Sequence, residues 1–235
     1  MGVGEEPWKP QPRVAKSREE ILECAGTKYS QGPLLLALRE AVDKHSLQRI
    51  AVVGTPCHVK AVRKIQMGEN PHPKFAGRIK LVIGLFCMES FDHEKLKNFL
   101  LEKLRVPIEN VSKFDIKKGK FIVHMKDGQR KEVEVKSLHD CVNTSCTLCK
   151  DFTSEFADIS VGAVGSPLGR STVLIRTSRG VEAFDLAKRA GIIEVKPLAE
   201  VKPGMDVVNR VSRIKKESAE EKRKTWKEEG KPVPP

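Results

Sequence analysis

The strongest constraint on this chain is a layout that its sequence uses twice. Arg49–Val53 (RIAVV) reads as a short buried strand ending at Gly54-Thr55-Pro56-Cys57, and His58–Gln66 follows with Val59, Val62 and Ile65 at helical spacing. Ile79–Phe86 (IKLVIGLF) reads as a second strand, Cys87-Met88-Glu89-Ser90 as its turn, and Asp92–Lys103 as a helix with Asp92 at the N-cap. Strand, turn and helix in that order predict parallel strands, because a parallel pair needs a crossover that a helix supplies. The expected fold class is therefore α/β, built on parallel-sheet β-turn-α units. In such a sheet the carboxyl ends of the strands share one edge, where these folds bind ligands. Cys57 and Cys87 each fall just past a strand end, so two cysteines far apart in sequence are expected to meet there.

The remaining segments fit around that sheet. Met1–Arg13 is rich in Gly and Pro and reads as an irregular lead-in. Ser17–Cys24 reads as a short helix with Ser17 as N-cap and Glu20 three residues on, and Pro33–Lys44 as a helix with Pro in its first turn. From Lys113 to Val135 apolar residues alternate about an Asp127-Gly128 turn, which predicts a small antiparallel insertion over residues 113–136. Asp158–Val164 and Thr172–Thr177 read as strands, Val181–Ala190 as a helix stopped by Gly191, and Ile192–Val195 as a last strand. The expected organisation is one α/β domain over 1–202 and a charged helical tail over 203–235, read as a solvated helix with docking of a partner as the alternative.

At 235 residues, 39% hydrophobic and 31% charged, the chain has material for a sizeable core. It shows no run long and apolar enough to span a membrane and no basic-then-apolar leader, so a cytoplasmic location is expected. A net charge of +12 raises a nucleic-acid reading, but the charge is diffuse and aromatic residues make up only 5%. Single-strand binding interleaves aromatic platforms with basic groups, so no nucleic-acid partner is expected and the charge suits an anionic cofactor instead.

Six cysteines in such a chain read as metal ligands or reduced thiols rather than a disulfide framework. Cys146-Thr147-Leu148-Cys149 sets two soft sulfurs on one tight turn. Val164–Thr172 (VGSPLGRST) follows, a loop of small residues whose backbone N–H groups can approach a flat or phosphorylated ligand closely. Cys57 opens a predicted helix, whose dipole favours the thiolate that metals require. A zinc ribbon usually shows two CxxC pairs and only one is present, while the closely spaced ferredoxin run is also absent. Cys57, Cys87, Cys146 and Cys149 better suit a single [4Fe–4S] cluster, with buried structural thiols as the open alternative. Of the other two, Cys24 reads as core packing and Cys141 as a loop thiol. The histidines show no ligand spacing, and Glu89 and Asp140 read as solvated carboxylates. Gly26-Thr27-Lys28 and Ser166–Thr172 are the two candidate cofactor cradles, with an ordinary turn as the alternative for each.

Three stretches in this order, GTPCHVKAVRKIQ, GLFCMES and CTLCKDFTSEFADISVGAVGSPLGRSTVLIRT, strongly resemble the beta-subunit family of coenzyme F420-reducing hydrogenases and F420-dependent formate dehydrogenases. The resemblance runs from about Trp8 into the charged tail. It implies a subunit with FAD and a [4Fe–4S] cluster that passes electrons from catalytic hydrogenase or formate dehydrogenase subunits to coenzyme F420 as hydride, and that is inactive without those partners. It implies Cys57, Cys87, Cys146 and Cys149 as cluster ligands. Thr27, Lys28, Ser166, Gly169, Ser171 and Thr172 become candidates for the flavin pocket, and Lys28, Lys60, Arg63 and Arg170 for contacts to anionic tails. Family members usually carry a further Gly-rich stretch ahead of Glu5-Glu6-Pro7-Trp8, and this sequence does not. That departure supports a second reading, an electron-transfer module with a cluster and no flavin. A third reading, from the composition alone, is a zinc- or thiol-containing basic RNA-binding protein.

Overall fold

In the computed structural model of the chain, residues 2–3 and 6–234 are described; Met1, Gly4 and Glu5 of the expected lead-in lie outside them. In chain order the elements are β1 (Gly2–Val3), β2 (Pro10–Gln11), α1 (Arg18–Glu23), α2 (Leu34–Asp43), β3 (Ile50–Gly54), α3 (Pro56–Met67), β4 (Ile79–Leu85) and α4 (His93–Leu104). They continue with β5 (Val111–Lys117), β6 (Lys120–Met125), β7 (Arg130–Glu134), β8 (Ile159–Gly162), β9 (Thr172–Ile175), α5 (Ser178–Arg189) and α6 (Met205–Glu228). Packing divides the chain into two compact units, Met1–Ala37 with Glu89–Cys146, and Leu38–Met88 with Thr147–Pro235, where a single domain over 1–202 was expected. The antiparallel segment expected over 113–136 is present and contributes to a core of its own.

That core belongs to the first unit. β5, β6 and β7 form an antiparallel sheet in that order, joined at Lys118-Gly119 and Asp127-Gly128, where Lys118 (φ 51°), Gly119 (φ 76°) and Gly128 (φ 84°) take the left-handed backbone that tight hairpins need. Phe121 on the central strand stacks on Phe114 at 5.3 Å and meets Phe91 edge-on at 5.8 Å, and Leu96 and Leu100 of α4 join the same cluster. β5 is absent from the sequence reading because its register shifts between Val111 and Lys113. The bulge moves the next inward residue to Phe114 and breaks the period of two. α1 matches expectation, with the Ser17 hydroxyl accepting the Glu20 N–H at 3.2 Å, as does α4, with Asp92 accepting the Lys95 N–H at 3.1 Å.

The second unit carries the expected sheet, in the order β3-β4-β8-β9. β3 and β8 run parallel to β4 on either side, and β9 turns back antiparallel on β8, so the sheet is mixed. Ile192–Val195 forms no strand. The Ile192 N–H closes on Ala187 O at the end of α5, and the segment beyond runs without regular structure. α6 is also not the solvated tail expected, since it buries Val208, Lys215 and Ala219.

A buried ion pair fixes this unit. Asp158, at the start of β8, accepts Arg63 Nη2 at 2.9 Å and the Thr177 hydroxyl at 2.7 Å on Oδ1, and the Val82 N–H at 2.8 Å on Oδ2. Arg63 also donates from Nε to Phe156 O at 2.8 Å and from Nη1 to Gln66 Oε1 at 2.6 Å. One carboxylate thus ties α3, β4, β8 and the α5 N-cap. Replacing Arg63 with Met leaves that charge buried without its partner, so Arg63→Met should lose about 3–5 kcal/mol of stability. Urea unfolding followed by Trp226 fluorescence in a Trp8→Phe background measures it, and a loss below about 1 kcal/mol would contradict the role given to the pair.

Candidate functional site

The second unit brings the carboxyl ends of β3 and β4 side by side, with Gly54 opposite Gly84 in the register. Each strand then delivers a cysteine to that edge. Cys57 lies in the first turn of α3, exposed, behind Thr55 at the N-cap and Pro56 at the first helical position. The Thr55 hydroxyl stands 3.2 Å from Cys57 Sγ and 2.9 Å from His58 Nδ1. Cys87 follows β4, and its N–H donates to Phe152 O at 2.9 Å, so the segment just after Cys149 is backbone-bonded to it. Cys149 Sγ in turn lies 3.6 Å from Asp151 O.

The approach of residues 152–157 to β4 requires a glycine. A Cβ on Gly84 would stand 2.2 Å from Ser154 Cβ, and the Ser154 hydroxyl donates to Leu85 O at 2.9 Å. Arg176 lies beneath, donating to Ser160 Oγ at 3.1 Å and Thr153 Oγ1 at 2.9 Å, and burial lowers its pKa. Burial also pushes the Asp151 carboxyl up; its Oδ2 accepts the Glu155 N–H at 2.9 Å, and Oδ1 has no hydrogen-bond partner among the described residues. From above, the buried Lys215 ammonium of α6 donates to Cys87 O at 2.5 Å.

Cys146 belongs to the first unit. Its N–H donates to Asn143 O at 2.8 Å, and its Sγ accepts from Gln31 Nε2 at 3.6 Å and lies 3.9 Å from Ser90 Oγ. Asn143 holds the turn by accepting the Ser145 N–H at 3.1 Å and steadies Gln31 through Oε1 at 3.1 Å. Gln31, Ser90, Asn143 and Lys215 were all missed in the sequence. Ser90 and Asn143 stood within reach, both being short polar residues beside a cysteine turn, but nothing local marked Gln31 or Lys215.

The two other cysteines exchange their expected roles. Cys141, read as a loop thiol, is buried against α4, where burial pushes its pKa up and its Sγ donates to Lys95 O at 3.6 Å. Cys24, read as core, caps α1, a helix that buries no residue. All six are thiols. Among the described residues, the group whose ligand atoms approach closely enough for one metal ion is Glu6, His93 and Glu94 of the first unit, where Lys9 bonds Glu6 at 2.7 Å and Lys97 stands 4.0 Å from Glu94. Cys57, Cys87 and Cys149 of the second unit form no such group among the described residues. Each ligand of a four-iron cluster binds a different iron, which asks for a wider spread of sulfurs than one ion does.

The candidate cradles are both turns under internal restraint. Lys28 in the first unit donates to Cys24 O at 2.9 Å, Ala25 O at 2.6 Å and Gly26 O at 3.3 Å, and burial lowers its pKa. In the second unit the Ser166 and Thr172 hydroxyls pair at 2.7 Å, and Thr172 is buried. Gly26 (φ 85°) and Gly169 (φ 82°) each leave open space where a Cβ would point, and Ser171 is exposed beside the latter. Arg63, expected to face an anionic tail, is committed to Asp158, while Arg170 pairs with Glu194 at the surface and Lys60 is exposed.

Known proteins resemble this chain in sequence and in fold. Residues 1–39 match the family described as coenzyme F420 hydrogenase/dehydrogenase, beta subunit N-term, and residues 47–201 the one described as its C terminus. The coenzyme F420 hydrogenase subunit beta of Methanothermobacter thermautotrophicus is 41% identical over 99% of this chain and 83% of its own length. The coenzyme F420-dependent sulfite reductase of Methanocaldococcus jannaschii is 40% identical over 85% of this chain and 34% of its own. A chain in the solved F420-reducing [NiFe] hydrogenase complex of Methanosarcina barkeri superposes with a TM-score of 0.90 at 38% identity, over 96% of this chain and 78% of that one. The chain belongs to the coenzyme F420 hydrogenase/dehydrogenase beta-subunit family.

The burial pattern sets an order of thiol reactivity. In metal-free, reduced protein near neutral pH, iodoacetamide should label exposed Cys57 first and Cys141 only after unfolding. Peptide mass spectrometry on a time course reads the order, and early labelling of Cys141 would contradict its buried placement.

Proposed function

We propose that this chain is the iron–sulfur flavoprotein subunit of a cytoplasmic F420-linked oxidoreductase, with Cys57, Cys87, Cys146 and Cys149 holding a [4Fe–4S] cluster and a flavin bound nearby. The observation that carries the reading is the shared strand edge of the second unit, where Cys57 and Cys87 emerge from neighbouring parallel strands and the Cys149 segment is hydrogen-bonded to Cys87. An all-sulfur donor set suits iron–sulfur chemistry and disfavours hard cations such as Mg²⁺ or Ca²⁺. When bound, a cluster exchanges single electrons, and FAD gathers two of them for delivery to the deazaflavin F420 as hydride.

The chain's own residues do the holding. Thr55, Gln31 and Ser90 offer hydrogen bonds to ligand sulfurs, the kind of contact that orients a ligand and tunes its basicity. Phe86 and Phe152 pack with ring centres 5.3 Å apart, one next to Cys87 in the chain and the other accepting its N–H. Among Thr27, Lys28, Ser166, Gly169, Ser171 and Thr172, the Lys28 ammonium and the Ser166–Thr172 pair fix the shape of their turns, and in either turn the open backbone, at Gly26 or at Gly169, is what a flavin would approach. Electrons come from catalytic hydrogenase or dehydrogenase subunits.

A second reading, an electron-transfer module without flavin, is favoured by the same internal bonds, because they occupy the groups that would otherwise reach a phosphate. Anaerobic purification with iron and flavin counted on one sample separates the two. About four iron atoms per chain are expected, with released FAD under the first reading and without it under the second. Cys146→Ser should lose the iron and with it F420 reduction from an artificial donor. Unchanged iron in that variant would remove Cys146 from the ligand set.

A further inference from the structure

The C-terminal helix is more charged than a packing element needs to be, and its charges are not spread at random. Val208, Lys215, Ala219 and Arg223 lie along one stripe of α6 at helical spacing, and the first three are buried. Small Ala219 lets the helix come close, and the two cations beside it reach opposite ways. Lys215 Nζ donates to Cys87 O, and Arg223 Nη1 donates to Leu148 O at 3.2 Å, the residue just before Cys149. Flanking ion pairs, Lys150–Glu220 at 2.9 Å and Lys216–Glu155 at 2.8 Å, hold the same stretch of loop to the same helix. A fully buried lysine is rare because desolvating its charge is costly. A methionine or leucine would pack the stripe without that cost, so the ammonium calls for a reason of its own.

We infer that α6 is a charged clasp over the sulfur-bearing edge of the second unit, and that Lys215 is a positioning and tuning residue that raises the reduction potential of the cluster. The inference rests on the cluster reading given above. A cubane held by four thiolates is anionic and gains one more negative charge on reduction. A cation fixed in a dry site beside one ligand's backbone stabilises the reduced form more than the oxidised form. The bond to Cys87 O also keeps the ammonium from swinging out to solvent, so the charge stays where it acts.

The test uses the full chain, reconstituted anaerobically with iron and sulfide, as wild type, Lys215→Met and Lys215→Arg. Iron per chain is counted first, then the midpoint potential is read by redox titration followed by electron paramagnetic resonance. Lys215→Met should keep its iron and shift negative by roughly tenfold in the one-electron equilibrium constant, about 59 mV, while Lys215→Arg stays near wild type. Iron retained at an unchanged potential in Lys215→Met overturns the inference and leaves Lys215 as a packing residue. If Lys215→Met fails to fold or to keep its iron, Arg223→Gln takes its place: a negative shift supports the clasp, and an unchanged potential overturns it. Wild-type protein that takes up no iron overturns the cluster reading itself, and the iron count reveals this before any potential is compared.

Discussion

A single carboxylate removed from water determines how the second unit can be assembled. Asp158 and Val82 bond twice, Val82 N–H to the carboxylate and Asp158 N–H to Val82 O, so β8 can start at only one position along β4. A one-residue slip would turn every side chain of the strand to the wrong face. With that register locked, Phe86 N–H falls on Val161 O and Cys87 N–H on Phe152 O, and the sulfur edge follows from it. A buried ion pair adds little net stability compared with well-packed apolar residues, but losing one partner is costly. Its contribution here is registry, and the cysteines sit where they do because of it.

Local patterns made much of the fold legible. RIAVV-GTPC and IKLVIGLF-CMES read as strand and turn because short buried strands are continuous apolar runs, and Ser17 and Asp92 read as caps because their hydroxyl and carboxylate answer orphan N–H groups within three residues. The bulge at Val111–Lys113 hid β5 by breaking the alternation on which such a reading depends. Ile192–Val195 misled in the other direction: three β-branched residues in four look like a strand, yet a strand also needs a neighbour with unpaired backbone, and among the described residues none lies beside it in the sheet. The Asp158–Arg63 pair and the Lys215–Cys87 bond join residues far apart in the chain, and no local pattern announces either.

The sulfur positions and the surrounding polar groups were legible to different degrees for the same reason. A cysteine after a strand or in a CxxC turn is placed by its own neighbours. The groups that address those sulfurs and their backbones, Gln31, Ser90 and Lys215, arrive from elsewhere in the chain and carry no motif. The candidate flavin turns illustrate the converse. Their small residues stood out in sequence, yet in three dimensions Lys28, Ser166 and Thr172 bond within their own turns, and the pattern of small residues alone does not announce those bonds.

The place of α6 in the chain has a consequence for how the protein is made. Synthesis releases the amino-terminal segments first, and domains fold as they emerge. β3 and β4 come early in the chain, but β8 follows only after the whole antiparallel sheet of the first unit, and α6, whose Lys215 bonds Cys87 O, comes after all of them. Throughout that interval Cys87 O lacks its Lys215 partner. In a nascent chain the strand ends of the second unit are thus made well before the helix that fastens them, so the edge is assembled from pieces that the ribosome delivers far apart in time.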